Sequence, residues 1–497
     1  MFKKVLIANR GEIAVRVIRA CRDMGISPVA IYSDVDRAAL QVLLADAAYC
    51  LGPASATESY LNIEKVISAA RKCGAEAIHP GYGFLSENAG FARACGDAGL
   101  KFIGPAPAAM EKMGFKTKAR EEMQRAGVPI VPGTVRGVTA AQVTGVAREI
   151  GYPVMLKAAA GGGGKGMRLV EREEDLQSAL ATASSEAQRA FGDGEVYIEK
   201  AVLNPRHIEI QVLGDEHGNV VSLGERDCSI QRRHQKVVEE SPSSIVNEEM
   251  RRRMGEAAVR VAKAAGYTNA GTIEFLVDEE RNFYFLEMNT RLQVEHPVTE
   301  SVTGFDLVQL QIKIAAGQKL PFHQEDIAWR GHAIECRIYA EDTDNNFLPS
   351  PGRISRLTVP EGPGIRHDSG IYEGWTVPLD YDPLLAKLIV SGSNRQQAIS
   401  RLSRALDEYF VGGIKTNLPL FRTIVNDPDF QAGQVDTGYL GRLLTSVPRD
   451  SSPEIEKVAA IAAGLFESQV GQSRDQQNQM PRDAAAWKQA ARTEALR

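Results

Sequence analysis

Over roughly its first hundred residues the chain switches repeatedly between two hydrophobic periods, and this constrains its fold more than any single motif. Residues 5–8, 29–33, 77–79 and 101–103 are short apolar runs of strand length. Between the first two, Ile13, Val17, Cys21 and Met24 recur at helical spacing. A strand, a helix and a strand in so short a segment predict parallel strands joined by a crossover helix. The expectation is an α/β chain whose opening region, residues 1–112, is a Rossmann-like parallel sheet. The turn Asn9-Arg-Gly-Glu-Ile13 stands where a dinucleotide fold carries its glycines, but G-x-G-x-x-G is missing, so no NAD site is expected. After the third run, His79-Pro-Gly-Tyr-Gly-Phe-Leu-Ser-Glu-Asn88 is either a loop bordering a ligand site or a tight turn shaped by Pro80, Gly81 and Gly83.

From about residue 113 the pattern changes. A helical stretch, 116–126, precedes an apolar strand, 151–158, in which Lys157 is the next-to-last residue. Then follows Ala160-Gly-Gly-Gly-Gly-Lys-Gly-Met167, with five glycines among six residues. Such density lets backbone N–H groups curl around an anion without Cβ clashes, and Lys165 adds charge. The Walker pattern is not met, because Gly166 follows Lys165 and residues 167–170 read as strand. The loop is therefore expected to cap a hairpin and close over phosphates as a mobile lid. A flexible linker is the other reading of a glycine run, and two flanking apolar strands speak against it.

Residues 195–202 and 207–213 are further strands; in the second, His207, Glu209 and Gln211 alternate with Ile208, Ile210 and Val212, giving one polar face. Residues 228–236 place Arg232, Arg233, Lys236 and His234 together, as an anion-binding stretch or a solvated loop. The net charge of −5 offers no general attraction for nucleic acid or an anionic membrane, so neither is an expected partner and any phosphate binding must be local.

Residues 271–277 and 282–288 are strand candidates separated by a polar turn, and a hairpin there sets Glu274 beside Glu287. Strict alternation places Phe283, Phe285, Glu287 and Asn289 on one face and Tyr284, Leu286 and Met288 on the other. Glu274, Glu287 and Asn289 are then either a solvated strand edge or three hard oxygen donors for Mg²⁺ or Mn²⁺. Arg291, Gln293 and Glu295 follow at alternate positions and supply a fixed cation, an amide and a base toward one small anion. Their company favours the site over the edge.

Residues 331–445 read as a strand-rich region closing on the middle one, with a helix-period run over 396–410. In the tail, 454–466 and 484–496 read as helices around a polar, Gln-rich stretch, 471–482, expected to be disordered. Six cysteines without a C-x-x-C pair, an N-terminal apolar run too short for a signal peptide, and no run near the roughly 20 apolar residues of a membrane span predict a cytoplasmic protein.

Five motifs in order resemble the biotin carboxylase component of biotin-dependent carboxylases. They are Lys4-Val-Leu-Ile-Ala-Asn-Arg-Gly-Glu-Ile-Ala14, the 79–88 loop, the glycine loop, Arg226-Asp-Cys-Ser-Ile-Gln-Arg-Arg-His-Gln-Lys236 and Glu287-Met-Asn-Thr-Arg-Leu-Gln-Val-Glu-His296. The resemblance runs from residue 1 to about 445. It implies an ATP-grasp fold with a Rossmann-like domain (1–112), an ATP-grasp domain (113–330, lid about 130–205), a β-rich C-terminal domain (331–445) and a tail (446–497). The implied activity is ATP- and bicarbonate-dependent carboxylation of biotin N1′ on a carrier protein through carboxyphosphate, by a carbon–nitrogen ligase of the acetyl-CoA, acyl-CoA or pyruvate carboxylase type.

By matching position, Lys116, Lys157, Gly161, Gly162, Gly163, Gly164, Lys165, Gly166, Met167, Glu199, Lys200, Val202, His207, Gln231, His234 and Leu276 would bind ATP. Glu274, Glu287 and Asn289 match the metal ligands, for two Mg²⁺ or Mn²⁺ ions. Lys236 would contact phosphate, Glu295 would be the base on bicarbonate held by Arg291, Gln293 and the Val294 N–H, and Arg337 would stabilise the biotin enolate oxygen. Cys228 is expected to be a partly buried packing residue.

No Ala-Met-Lys-Met segment is present, so biotin is expected on another chain or on no chain at all; the resemblance implies a carrier protein and a carboxyltransferase on separate chains and a homodimer. The tail exceeds that of the minimal acetyl-CoA carboxylase subunit and is similar to extended forms in two-subunit pyruvate carboxylases. Two readings from other classes compete: another ATP-grasp carboxylate–amine ligase, and a non-catalytic nucleotide-binding scaffold.

Overall fold

The computed structural model describes residues 1–114, 116–159 and 167–446, with Lys457, Ile461 and Gly464 beyond them. Residues 1–442 form one compact unit. Apart from those three helical residues, the tail segments anticipated above lie outside the described residues.

β1 (Lys4–Ile7), β2 (Ser27–Ser33), β3 (Ala47–Gly52), β4 (Ala77–His79) and β5 (Lys101–Phe102) form a parallel sheet in the order β3-β2-β1-β4-β5, with α1 (Gly11–Asp23) as the first crossover. Both faces are covered. Leu6, Val29, Ile31 and Ile78 pack one way with Phe91, while Val5, Ile7 and Ala77 pack the other way with Ile18 of α1. β3 escaped the sequence reading although residues 47–51 form an apolar run; at the edge of the sheet it buries only Leu51.

Strand order reverses at β1, so the loops after β1 and β4 flank one crevice. Asn9 Nδ2 ties them by donating to Pro80 O and Tyr82 O, both at 2.7 Å. Gly81 is required there: its φ is +62°, and a Cβ would lie 2.9 Å from the same Asn9 nitrogen.

α2 (Lys116–Arg125) leads into a three-stranded antiparallel sheet, β7-β6-β8, of β6 (Val154–Ala158), β7 (Arg168–Val170) and β8 (Val196–Lys200). It is covered by Leu176, Leu180 and Ala183 of α3 (Glu173–Phe191). β6 and β7 pair as the expected hairpin. The residues joining them, Gly161 to Gly166, lie outside the described residues, as does the Lys116 side chain.

The largest sheet has eight strands, all paired antiparallel. They are β9 (Arg206–Gly214), β10 (Val220–Arg232), β11 (Gln235–Ser241), β12 (Asn269–Val277), β13 (Phe283–Asn289), β14 (His332–Tyr339), β15 (Ile365–Ser369) and β16 (Leu384–Gly392). Their order is β13-β12-β9-β10-β11-β14-β16-β15, so one sheet passes from the middle of the chain into its C-terminal region through β11 and β14. α4 (Glu248–Ala265) lays Met250, Met254, Ala257 and Val261 against Ile208, Ile210, Val212, Ile273, Phe275 and Val277. The other face carries His207, Glu209, Gln211, Thr272 and Glu274, buried although polar.

The face assignment expected for 283–289 needs correction. Glu274 pairs with Glu287 as anticipated, but the next pair is Phe275 with Phe285, so Leu286 is an extra residue in β13. This bulge reverses parity. Phe283, Phe285 and Met288 enter the apolar core, while Glu287 and Asn289 turn to the polar face. Unbroken alternation would have driven a carboxylate into the core beside two phenylalanines, at a cost of several kcal/mol. Among the described residues no helix is long and apolar enough to cross a membrane.

Candidate active site

The polar face of the large sheet, the β6–β8 sheet and the segment after β13 enclose a cavity of about 580 Å³. Lys157, Met167, Glu199, Lys200 and Val202 line it from the small sheet and its flanks. His207, Gln231, His234, Lys236, Glu274, Leu276, Glu287 and Asn289 line it from β9 to β13, and Arg291, Gln293, Val294 and Arg337 close the far side. Every candidate residue whose side chain is described therefore faces one space, except Glu295, which is fully buried immediately behind it.

Lys236 organises that interior. Its Nζ lies 2.5 Å from Glu209 Oε2, 2.7 Å from Glu295 Oε1 and 2.9 Å from Glu274 Oε1. Burial opposes its charge, but Glu209, Glu274 and Glu295 overcome this and hold it well above the usual lysine range. Arg226 sits beneath, fully buried, donating to Glu209, Gln211 (2.7 Å), Thr272 (2.9 Å) and Thr299 (3.0 Å). Arg337 spans two carboxylates, with Nε 2.5 Å from Glu239 and Nη2 2.9 Å from Glu295. Burial likewise opposes the charge of Glu295, yet Lys236, Arg337 and Arg226 hold its carboxyl well below the usual range. It stands ionised between two cations.

Arg291, Gln293 and Glu295 do converge, but not by strand alternation. β13 ends at Asn289, and a turn leads into α5 (His296–Thr303), whose N-cap is Glu295. Arg291 donates to Gln293 Oε1 (2.7 Å) and Asn289 Oδ1 (3.1 Å), and Gln293 Nε2 reaches Glu274 Oε1 at 3.2 Å. Glu87 accepts from Arg291 Nε (3.1 Å) and the Thr290 N–H (2.9 Å), so the 79–88 loop is both a tight turn and a border of the site.

On the opposite wall Glu199 pairs with Lys157 and with Arg120 (2.8 Å), and Lys200 donates to Gly151 O and Tyr152 O. Gln231 Nε2 lies 2.9 Å from His207 Nδ1, and His207 Nε2 is 3.1 Å from Glu274 Oε2. The basic stretch is divided: Arg233 and His234 form the β10–β11 turn at φ 48° and 66°, whereas Arg232 stacks over Phe347 at 3.8 Å. Cys228 is wholly buried, more so than expected, and burial pushes its thiol far up, which suits packing and not nucleophilic attack.

The sequence reading missed Glu239, Glu335 and Lys387, all fully buried around Arg337. A signal existed in runs such as Leu384-Leu-Ala-Lys-Leu-Ile-Val390, where one charge interrupts an apolar strand.

Three family models match the chain: the N-terminal domain of biotin carboxylase at residues 1–110, the ATP-binding domain of the carbamoyl-phosphate synthase L chain at 116–323, and the C-terminal domain of biotin carboxylase at 335–442. The chain is 57% identical over 441 residues to a biotin carboxylase of Halalkalibacterium halodurans, covering 88% of this chain and 97% of that one. A crystal structure of biotin carboxylase from Campylobacter jejuni in complex with β-γ-ATP superposes with a TM-score of 0.86 at 51% identity, over 89% and 99% of the two chains. The biotin carboxylase domain dimer of Hydrogenobacter thermophilus 2-oxoglutarate carboxylase, in complex with MgADP, ADP and bicarbonate, matches with a TM-score of 0.86 at 50% identity, over 90% and 100%.

Proposed function

This chain belongs to the biotin carboxylase family and is an ATP-dependent biotin carboxylase, and we propose that its cavity divides the reaction among the residues described above. The enzyme uses ATP and bicarbonate to form ADP and carboxyphosphate, whose carboxyl group passes to N1′ of biotin as the C–O bond to phosphate breaks and the released phosphate carries off the N1′ proton. Lys157, Met167, Glu199, Lys200, Val202, His207, Gln231, His234 and Leu276 hold the nucleotide, together with Lys116 and the 161–166 loop. Arg291, Gln293 and the Val294 N–H fix bicarbonate beside Glu295, which takes its proton. In the resting site Lys236 and Arg337 keep Glu295 ionised but weakly basic. Each anion that draws those cations into the cavity raises its basicity just when a proton must be accepted. Arg337, permanently charged, then faces the biotin enolate oxygen.

Glu274, Glu287 and Asn289 suit Mg²⁺ or Mn²⁺: their side chains offer hard oxygen donors, Glu274 and Glu287 pair directly across β12 and β13, and all three line the cavity. Bound there, such ions neutralise charge on the phosphate oxygens.

Biotin presented on a carrier protein, a separate carboxyltransferase, a homodimer, a cytoplasmic setting and the boundaries 1–112, 113–330 and 331–445 complete the proposal. The dimeric Hydrogenobacter relative and the family models' limits near 110, 323 and 335 support it, as does the acidic net charge, which favours neither nucleic acid nor membrane.

The observation that carries the reading is the convergence of Lys236 and Arg337 on the buried Glu295 carboxylate. The test is ADP release with ATP, Mg²⁺ and bicarbonate, with and without free biotin, in wild type, Glu295→Ala and Arg337→Ala. Biotin stimulation should require bicarbonate and fall about 10²–10³-fold in both variants. Turnover indifferent to biotin and to both substitutions points instead to another ATP-grasp ligase, and nucleotide binding without turnover to a scaffold.

A further inference from the structure

Behind Arg337 lies a row of charged side chains that this mechanism leaves unused. β11, β14 and β16 are adjacent, and their register sets Glu239 opposite Glu335 and Arg337 opposite Lys387. Glu239, Glu335 and Lys387 have no exposed surface. Arg337 is bonded within the row to Glu239 and out of it to Glu295. Lys387 donates to Val294 O at 2.8 Å and lies 3.3 Å from Glu12 Oε2. Among the described residues neither carboxylate oxygen of Glu335 has a hydrogen-bond partner, nor has Oε2 of Glu239.

Directly opposed positions on neighbouring strands bring side chains to about 5 Å at Cβ. Two wholly buried carboxylates on directly opposed positions resist carrying charge together, since repulsion and desolvation each penalise the second ionisation. Glu239 is the member with a cation bonded to it. We propose that Glu239 and Glu335 hold one proton between them in the resting protein, with Glu335 the neutral partner, and that this pair positions Arg337 so that its guanidinium is shared between Glu239 and Glu295.

Facing Glu335 are Lys387 from β16, Glu239 from β11, Arg337 on its own strand and Glu295 at the head of α5. Burial outweighs the two cations and holds the Glu335 carboxyl well above its usual range; Glu239, buried but bonded to Arg337, is pushed up to about 7. A charged Glu239 retains part of the guanidinium, whereas a neutral one surrenders it to Glu295 and weakens that base further. This positioning role rests on the proposed roles of Arg337 and Glu295. The shared proton does not.

The experiment combines the pH profile of biotin-dependent ADP release with infrared spectra of the carboxyl carbonyl region, on full-length wild type, Glu335→Gln and Glu239→Gln. Glu335→Gln, the isostere of the neutral acid, should keep kcat within about twofold and leave the acid limb in place, while Glu239→Gln should lower kcat about tenfold and move that limb to lower pH. Wild type should retain a protonated-carboxyl band at about pH 9, where groups titrating near 7 are ionised, and Glu335→Gln should lose it. Absence of that band in wild type, or a limb shift in Glu335→Gln matching that of Glu239→Gln, overturns the proposal. The infrared measurement needs no turnover, so it decides the proton pair even if Glu335→Gln does not fold. Failure of biotin-dependent activity in wild type would instead sink the catalytic reading.

Discussion

The five-stranded parallel sheet and the eight-stranded antiparallel sheet use similar Val- and Ile-rich strands, yet they bury opposite things. On the first, both faces are apolar, with Leu6, Ile31, Ile78 and Phe91 on one side and Val5, Ile7 and Ile18 on the other. On the second, one face packs on α4, and the other buries Glu209, Gln211, Arg226, Glu239, Glu274, Glu335 and Lys387 with almost no exposed surface. The parallel sheet thus draws stability from its residues through area removed from water. The ionic face must offset the desolvation of every charge by pairing, and it gains little net stability for doing so. The difference teaches where function was placed: preorganised charge costs stability, and the apolar layers on either side make that cost tolerable.

Removing a single charge from the ionic face tests this most severely. Lys236→Met leaves Glu209, Glu274 and Glu295 facing one another, and a loss of about 3–5 kcal/mol in urea unfolding is expected, together with loss of carboxylation. A well-folded Lys236→Met of unchanged stability would break the comparison.

The counterpart in the parallel sheet is Phe91→Ala, which opens a cavity beside Phe102 and should cost about 3–5 kcal/mol while leaving kcat of the folded fraction unaltered. Phe91 matters to the comparison because it separates stability from chemistry. A specific fall in kcat would show that the two sheets are not independent in function.

Glu12 lies where the two regions meet, and burial, against the pull of Lys387, pushes its carboxyl up to about 7. A group raised in the folded state contributes stability fully present below its unfolded value near 4.5 and lost as pH rises through about 7, here up to about 3 kcal/mol. Glu12→Gln should therefore flatten the fall in wild-type stability between about pH 5 and pH 7, followed by thermal unfolding across that range. An unchanged slope would assign the pH dependence elsewhere.

The smallest effect belongs to the rim. Glu87, 42% exposed at its side chain, pairs with Arg291 at 3.1 Å, and Glu87→Gln should cost less than about 1 kcal/mol of stability. It should also raise KM for bicarbonate modestly by loosening Arg291. A kcat effect rivalling that of Arg337→Ala would move Glu87 from border to centre.

Local periodicity made much of this legible. Helical spacing at Ile13, Val17 and Cys21 implied α1 and with it the parallel sheet, and the polar turn at 278–282 implied the β12–β13 hairpin that sets Glu274 beside Glu287. Motif spacing pointed to the family and to the cavity-lining residues, because short segments that approach a ligand must keep their residue types in fixed order. Exposure was harder to read, as β3 and the wholly buried Cys228 illustrate.

By itself, then, the sequence determined most of the strands and helices, which hairpins close locally and which short motifs supply residues that line the cavity, since these depend on neighbours a few positions apart. Only the tertiary structure decided the rest. The bulge at Leu286 turns Glu287 and Asn289 into the cavity, because a strand's facing is settled by the core that its phenylalanines must enter. Lys236, Arg337, Glu239, Glu335 and Lys387 gather around Glu295 only when β11, β14 and β16 come into register. Those pairings set Glu239 against Glu335, 96 positions on, and Arg337 against Lys387, 50 positions on, and no local pattern encodes which charge will stand opposite which.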